Sequence, residues 1–521
     1  MQPFALTVEK HLIHAAKWHS DTEVVSRGLD GLLERTSYAD ALTEARRTSA
    51  LLAGYGVKPG DRVATLCWNT VAHFNCWYAI MGMGGTCHTL NPRIPADHSS
   101  VMLDKSGATV VIVSADLFEL AHDIAHQTSA KLRFLVAGGR ADEFKARGLD
   151  AEALDAQIAE VAAPAKWPEL DENSECGLCF TSGTTGAPKG VSYTHRASYL
   201  HTLRQMQADV TGLTRRDAVL CAVPMFHANA WGLPFAAPTG GSKLVLPGRA
   251  KDGRSLADLI MHEEVTVAVG VPTVWIGVLD YLDEHGLEVP SLERIMVGGA
   301  PMPAALMRRI EARGIAVQTT WGMTELSPIG TAAPPGDPER DAGKSGEPAI
   351  GFDMKLTDEH GCELAQQRDV EGHLWVSGHS VIESYLGESE PATVDGWFCT
   401  GDLARIDQRG RLTITGRAKD LIKSGGEWIN PAEIEAIVSA RSDIVNSAVI
   451  GREDAKWSER PILIVEPAAG ADPSDDELLG ELRDRIASWW MPDAIIRLDA
   501  MPLAGTGKID KLRLRREHGK A

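Results

Sequence analysis

Residues 181–190 read Thr-Ser-Gly-Thr-Thr-Gly-Ala-Pro-Lys-Gly, a run of hydroxyls, glycines and one lysine whose chemistry suits an anion. Glycine permits positive φ and close backbone approach, so Gly183, Gly186 and Gly190 let successive N–H groups converge on phosphate oxygens. Thr181, Ser182, Thr184 and Thr185 add short hydroxyl donors, and Lys189 adds a mobile point charge. The spacing is not that of a Walker A loop, because Lys189 is followed by Gly190 rather than by Ser or Thr. Taken alone, the stretch also reads as a Gly/Thr-rich surface turn. Its companions along the chain decide between the two.

Five later segments carry groups that would complete a nucleotide site. Gly298-Gly299-Ala300-Pro301 follows an apolar run, 294–297, and its small residues let an adenine lie against backbone. Thr320-Trp321-Gly322-Met323-Thr324-Glu325 offers an indole face, a hydroxyl for phosphate and a carboxylate for magnesium, which favours one or two carboxylates plus phosphate oxygens. Thr400-Gly401-Asp402 presents a carboxylate suited to a pair of ribose hydroxyls. Gly416-Arg417-Ala418-Lys419-Asp420 falls where the sequence pattern changes, and Ala504-Gly505-Thr506-Gly507-Lys508 sets a lysine on a glycine-flanked loop. Each has a plainer reading: packing for the Trp, a turn for Thr-Gly-Asp, a solvated charge for the last lysine. Their joint occurrence in this order favours the activation of a carboxylate by a nucleotide.

The elements that must position these groups are legible as alternating patterns. Apolar runs at 63–66, 110–113, 243–246, 265–271 and 294–297 read as buried strands between helical stretches, which predicts parallel α/β sheets covered on both faces. Ser255 is a cap candidate for a helix over 256–264, and Gly314 for the end of one over 304–313. From about 350 to 416, short alternating strands such as 373–377 and 411–415 predict a small antiparallel β unit. Beyond Gly416, Asn430-Pro431 opens a helix over 431–440, strands follow at 445–450 and 462–465, and Ser474 with Glu477 forms a capping box for a helix reaching Trp490. The boundary is expected near 417–420.

Bulk properties narrow the class. The chain has 521 residues, 44% of them apolar, enough for several cores. A formal net charge of −19 disfavours nucleic acid or an anionic membrane as partner and requires a local positive field for any anionic substrate. Eight cysteines lie mostly in apolar segments, as in a reduced compartment; Cys176 and Cys179 have metal-ligand spacing, but no second pair follows, so core packing is the expectation. Residues 63–92 carry no formal charge, yet polar residues and glycines interrupt them, so buried helix and strand is the reading rather than a membrane span. With no leader pattern at the N-terminus, a cytoplasmic location is expected.

With these motifs in order over essentially the whole length, the chain resembles the adenylate-forming superfamily of acyl-CoA synthetases, adenylation domains and beetle luciferases. Within it, Pro224-Met-Phe-His-Ala-Asn-Ala-Trp231 and Trp321-Gly-Met-Thr-Glu-Leu-Ser-Pro328 look like medium- and long-chain fatty acyl-CoA synthetases and methylmercaptopropionate-CoA ligases. Trp321 and Phe180 depart from the family in standing where many members carry Tyr. The resemblance implies a multi-domain α/β fold: a large N-terminal domain (1–416) of two α/β sheets with a small β-barrel-like subdomain (about 350–416), a hinge at 417–420, and a small mobile C-terminal α+β domain (421–521). It implies ATP, Mg2+ and coenzyme A, a small carboxylic acid as substrate, and homodimerisation as one mode of assembly.

By that resemblance, the 181–190 loop holds the β/γ-phosphates and Glu325, with Thr184, binds magnesium. Thr324 meets the α-phosphate; Gly299, Ala300, Pro301 and Thr320 to Met323 surround the base; Asp402 and Arg417 hold the ribose. Lys508 bridges carboxylate and α-phosphate in the first step. Lys419 is the hinge about which the C-terminal domain rotates for the second step, bringing Ser424, Gly425, Gly426 and Glu427 to line a passage for pantetheine; a plain turn is the other reading of that segment. His227, Trp231, Val271, Pro272, Gly298 and Trp321 are the acyl-pocket candidates; His227 is also a catalytic candidate, closing the pocket near the carboxylate or gating the thiol, with a purely structural role as its other reading. With no cation evident to clamp a second carboxylate, an apolar acid is expected, of medium or longer chain, with thioether and aryl acids as alternatives. Loading of a carrier protein and a non-catalytic nucleotide-binding role are the remaining alternatives.

Overall fold

A computed structural model describes residues 1–181, 188–425, 427–441, 443–503 and 509–520. Ser182, Gly183, Thr184, Thr185, Gly186, Gly426 and Lys508 lie outside the described residues.

Two large sheets dominate the first 350 residues. The seven-stranded one runs, edge to edge, Asp150–Ala153, Arg133–Ala137, Val110–Ser114, Arg62–Leu66, Thr86–Thr89, Glu175–Thr181 and Lys189–Thr194; only the last pairing is antiparallel. The nine-stranded one runs Glu347–Pro348, Ile329–Ala332, Ala316–Gly322, Arg294–Val297, Val267–Gly270, Ala218–Cys221, Lys243–Leu246, Glu23–Arg27 and Leu33–Ser37. Its six central strands are parallel. One continuous apolar core joins the two sheets through helices Tyr38–Gly54 and Val71–Gly82, where Phe74, Trp77 and Tyr78 are fully buried. The uncharged stretch 63–92 is thus strand, helix and strand inside this core, with Thr70 accepting from the His73 N–H to cap the helix. Cys176 and Cys179 are buried in the same core.

Parallel strands put their C-terminal ends along one edge of each sheet, and the segments that leave those ends carry His227, Trp231, Val271, Gly298 to Pro301 and Met323 to Glu325. A five-stranded antiparallel sheet follows (Phe352–Thr357, Glu371–Gly378, Trp397–Ile406, Thr393–Val394, Leu412–Arg417), then a separate one of Glu427–Ile429, Ile422–Ser424, Ser458–Pro467, Ile444–Asp454 and Ala494–Arg497. Asn430 caps helix Pro431–Val438 by accepting from the Ala432 N–H, while its amide donates to Thr415 O across to the preceding sheet.

Several boundaries differ from expectation. Asp252, not Ser255, caps helix Gly253–His262, accepting the Ser255 N–H at 2.9 Å; two cap-type residues stand three apart and the first is used. The helix over 304–313 is Ala304–Glu311, with Gly314 left-handed beyond its end. The Ser474–Glu477 capping box is present, but that helix stops at Leu482. Arg483 turns extended and Asp484 left-handed, so Ile486, Trp490 and Met491 return to the same core as separate contacts. Among the described residues, no helix is long and apolar enough to cross a membrane.

Candidate active site

The strands that flank the phosphate-loop candidate, Glu175–Thr181 and Lys189–Thr194, are antiparallel, and their ends face each other as the pair Thr181↔Lys189. Lys105 buttresses the stem by donating to Pro188 O at 2.8 Å. Lys189 Nζ lies 4.5 Å from the Tyr385 ring centre and 3.6 Å from Glu388 Oε1. Tyr385 is brought there by backbone pairing, as a bridge to Val191 and a Leu386 N–H donating to Gly190 O at 2.8 Å.

The same Tyr385 donates its hydroxyl to Glu325 Oε1 at 3.0 Å, so one ring spans from the loop lysine to the magnesium candidate. Thr324 and Glu325 sit in a short turn after strand Ala316–Gly322 and are buried. Burial pushes the Glu325 carboxyl above its ordinary range, against the Tyr385 hydrogen bond and the nearby Arg417 charge, which pull it down. Among the described residues no lysine or arginine pairs with it directly. A buried hard-oxygen ligand that lacks a protein cation suits Mg2+. Tyr193 fixes the turn by donating to Thr324 O at 2.8 Å.

Trp321 ends the strand just before this turn. Its Nε1–H donates to Asp402 Oδ2 at 3.0 Å, and Arg417 Nε stands 2.6 Å from Asp402 Oδ1. Asp402 and Arg417 are directly opposed in adjacent antiparallel strands. Thr400-Gly401-Asp402 is therefore inside a strand rather than a free turn, with Gly401 left-handed beside a register shift. Gly322 is required by contact: a Cβ there would meet Pro328 O at 2.0 Å. Gly298 is buried at the end of strand Arg294–Val297, with Ala300 and Pro301 forming an exposed lip and Thr320 donating to Val297 O beside it.

The acyl-pocket candidates also converge. A Cβ on Gly298 would lie 3.0 Å from the Trp231 indole tip, and one on Gly299 would lie 3.5 Å from the same ring and 3.4 Å from Val271. Val271 precedes helix Pro272–His285, with Pro272 in its first turn. His227 and Trp231 stand four residues apart, a spacing that a helix would bring to one face. The segment is instead a left-handed run, with φ of 44°, 50°, 48°, 55° and 77° from Ala228 to Gly232, and it carries the buried indole onto the Gly298–Gly299 backbone. His227 is half-buried at the start of that run.

Ser424 and Gly425 make their contacts within the C-terminal sheet: Ser424 Oγ accepts from Arg460 Nη1 at 3.0 Å, and the Gly425 N–H donates to Trp457 O at 2.8 Å. Glu427 is exposed in the adjoining strand. Lys419 is exposed in a short 3-10 turn, Ala418–Asp420, anchored by Asp420 pairing with Arg515 at 3.0 Å.

Sequence reasoning missed Tyr385, Tyr193 and Lys105, since no spacing links them to the motifs they serve. It also missed two cations on the Ala222–His227 loop. Lys251 Nζ donates to Ala222 O at 2.8 Å, and burial beside Arg93 pulls its pKa down to about 7. Arg93 lies over the Trp68 and Phe226 rings at 6.0 and 5.9 Å.

Comparison with known proteins gives the arrangement its family. The AMP-binding enzyme family matches residues 13–386, and the AMP-binding enzyme C-terminal domain matches residues 433–508. The chain is 38% identical to the 3-methylmercaptopropionyl-CoA ligase of Ruegeria lacuscaerulensis, covering 98% of this chain and 97% of that one. It is 39% identical to the medium-chain-fatty-acid–CoA ligase of Ectopseudomonas oleovorans, covering 97% and 95%. Among solved structures, ATP-bound MatB from Rhodopseudomonas palustris superposes with a TM-score of 0.86 at 26% identity, over 99% of both chains. The chain belongs to the AMP-binding enzyme family and is an ATP-dependent, acyl-AMP-forming acid–CoA ligase.

Proposed function

We propose that the acid is an unbranched apolar one of medium chain length, or a thioether acid of similar size. The observation carrying this is the buried Trp231 indole lying against the Gly298–Gly299 backbone beside Val271, where it would close the inner end of a pocket for the acyl chain. Both relatives named above act on acids of that description by their names.

A carboxylate cannot acylate a thiol directly, since oxide is too poor a leaving group; an acyl-AMP supplies a good one. In the first step the acid's carboxylate attacks the α-phosphorus and pyrophosphate departs. Preorganised donors must meet the charge that develops there. The 181–190 loop with Lys189 takes the β/γ-phosphates, Thr324 the α-phosphate, Asp402 with Arg417 the ribose, and the Trp321 face the adenine. Glu325 holds Mg2+, which neutralises phosphate oxygens when bound. Lys508 contacts both reacting groups. In the second step CoA replaces the Lys508 loop, the C-terminal domain (421–521) turning about Lys419 relative to residues 1–416, with Ser424 to Glu427 lining the thiol's path. The enzyme works in the cytoplasm.

The test is CoA-dependent AMP formation with acetate, methylmercaptopropionate, hexanoate, octanoate, palmitate and benzoate. A maximum at hexanoate, octanoate or the thioether acid is expected; a maximum at palmitate or benzoate would overturn the pocket reading. Lys508→Ala should abolish acyl-AMP formation yet spare thioester formation from supplied acyl-AMP. Equal loss of both half-reactions would remove the role given to Lys508.

A further inference from the structure

The indole of Trp321 is fixed on several sides. Its N–H reaches Asp402 Oδ2 at 3.0 Å, its six-membered edge lies where a Cβ on Gly330 would come within 2.8 Å, and Phe352 packs beside it at 6.4 Å between ring centres. Asp402 is 1% exposed, so the orientation of its carboxylate is set by protein groups rather than by water. Those groups include Trp321 Nε1–H on one oxygen and Arg417 on the other, with Thr400 Oγ1 accepting the Asp402 N–H at 3.1 Å. The indole N–H on one oxygen and the ion pair to Arg417 on the other hold the carboxylate from two sides. Indole is a donor only, and its N–H lies on the ring's flank. The ring can therefore present a face to a purine while its edge holds the carboxylate. A phenol, with its hydroxyl at the far tip of the ring, would not place a donor at the same point.

We propose that Trp321 is a positioning residue whose indole N–H holds the Asp402 carboxylate in the orientation that receives the ribose hydroxyls, coupling recognition of base and sugar through one side chain. The proposal rests on the assignment of Asp402 to the ribose. Trp321→Phe keeps an aromatic face and removes the donor. It should therefore weaken the contribution of the sugar hydroxyls more than that of the base.

The test compares kcat/KM for ATP, 2′-deoxyATP and 2′,3′-dideoxyATP in pyrophosphate release with saturating acid, for wild type, Trp321→Phe, Asp402→Asn and the double variant. A hydroxyl bonded to a carboxylate is worth about tenfold or more, so wild type should prefer ATP over each analogue by at least that factor. Trp321→Phe should reduce this preference about fivefold, chiefly through KM for ATP. The double variant should discriminate no less than Asp402→Asn alone. Because each preference is a ratio within one preparation, a partly unfolded variant does not distort it. Trp321→Phe retaining the wild-type ratio would overturn the proposal while leaving Asp402 on the ribose. Wild type accepting all three nucleotides equally would remove the ribose assignment and the proposal with it.

Discussion

Replacing Trp231 by Ala tests whether the indole sets the length of the acyl slot. The buried indole ends against Gly298 and Gly299 beside Val271, so on the proposed reading its removal would lengthen the slot on that side. Burying one further methylene is worth about 0.8 kcal/mol, which is roughly fourfold in kcat/KM for each carbon the lengthened slot accepts. The optimum should move to longer acids, with the fourfold steps continuing beyond the wild-type optimum until the new wall is met. Truncating a buried Trp costs about 3–5 kcal/mol of stability. Residue 231 is left-handed at φ 55°, a conformation that costs an L-residue about 1–2 kcal/mol and glycine almost nothing. Trp231→Gly should therefore open the slot equally and denature no earlier than Trp231→Ala, despite glycine's greater freedom when unfolded. The assay is CoA-dependent AMP formation on the even-numbered series from butyrate to palmitate, beside urea denaturation of each variant. An unchanged optimum in both variants would show that the indole does not bound the slot.

Tyr385→Phe removes the hydroxyl held by Glu325; a hydrogen bond to a charged group is worth about 1.5–3 kcal/mol, so half-activation by Mg2+ should need about tenfold more metal with KM for the acid little changed. A shift in acid KM with no shift in the Mg2+ titration would count against this placement. Lys251 has a folded pKa of about 7, well below that of an unfolded lysine at about 10.4. Between those values the unfolded chain binds more protons, so this residue makes stability rise with pH across that window. Lys251→Met should gain most over wild type at pH 7 and below, converging towards pH 10; parallel denaturation midpoints across the range would refute the shift. Lys419→Pro restricts φ in the exposed turn between the last two sheets and should slow thioester formation more than adenylation, measured as separate half-reactions. Equal rates to wild type in both would exclude Lys419 as the hinge.

Gly298-Gly299 at the end of strand Arg294–Val297 was legible because close backbone approach forces glycine, which leaves its mark in the chain itself. Buried parallel strands were legible as short apolar runs, and Lys243–Leu246 and Arg294–Val297 have their expected bounds. The run Ala228–Trp231 misleads because alanine favours a right-handed helix; the left-handed turn is held by its surroundings, among them Cys179 donating to Asn229 Oδ1 at 3.5 Å. Tyr385 left no mark, since only the pairing of Val191 with its backbone brings it to Glu325. The Trp321 to Asp402 hydrogen bond was equally invisible: its partners are 81 positions apart.

The place of Glu23–Arg27 in the nine-stranded sheet bears on how the chain is made. This strand pairs with its neighbour in sequence, Leu33–Ser37, on one side, but on the other with Lys243–Leu246. Val24 and Val25, fully buried in the finished protein, must wait on the ribosome until some two hundred further residues have been added. At about 5–20 residues per second that interval is roughly 10–40 s. Throughout it an apolar strand edge stands open to other chains, so the nascent polypeptide presents its greatest need for a chaperone well before any part of the nucleotide site beyond its first loop exists.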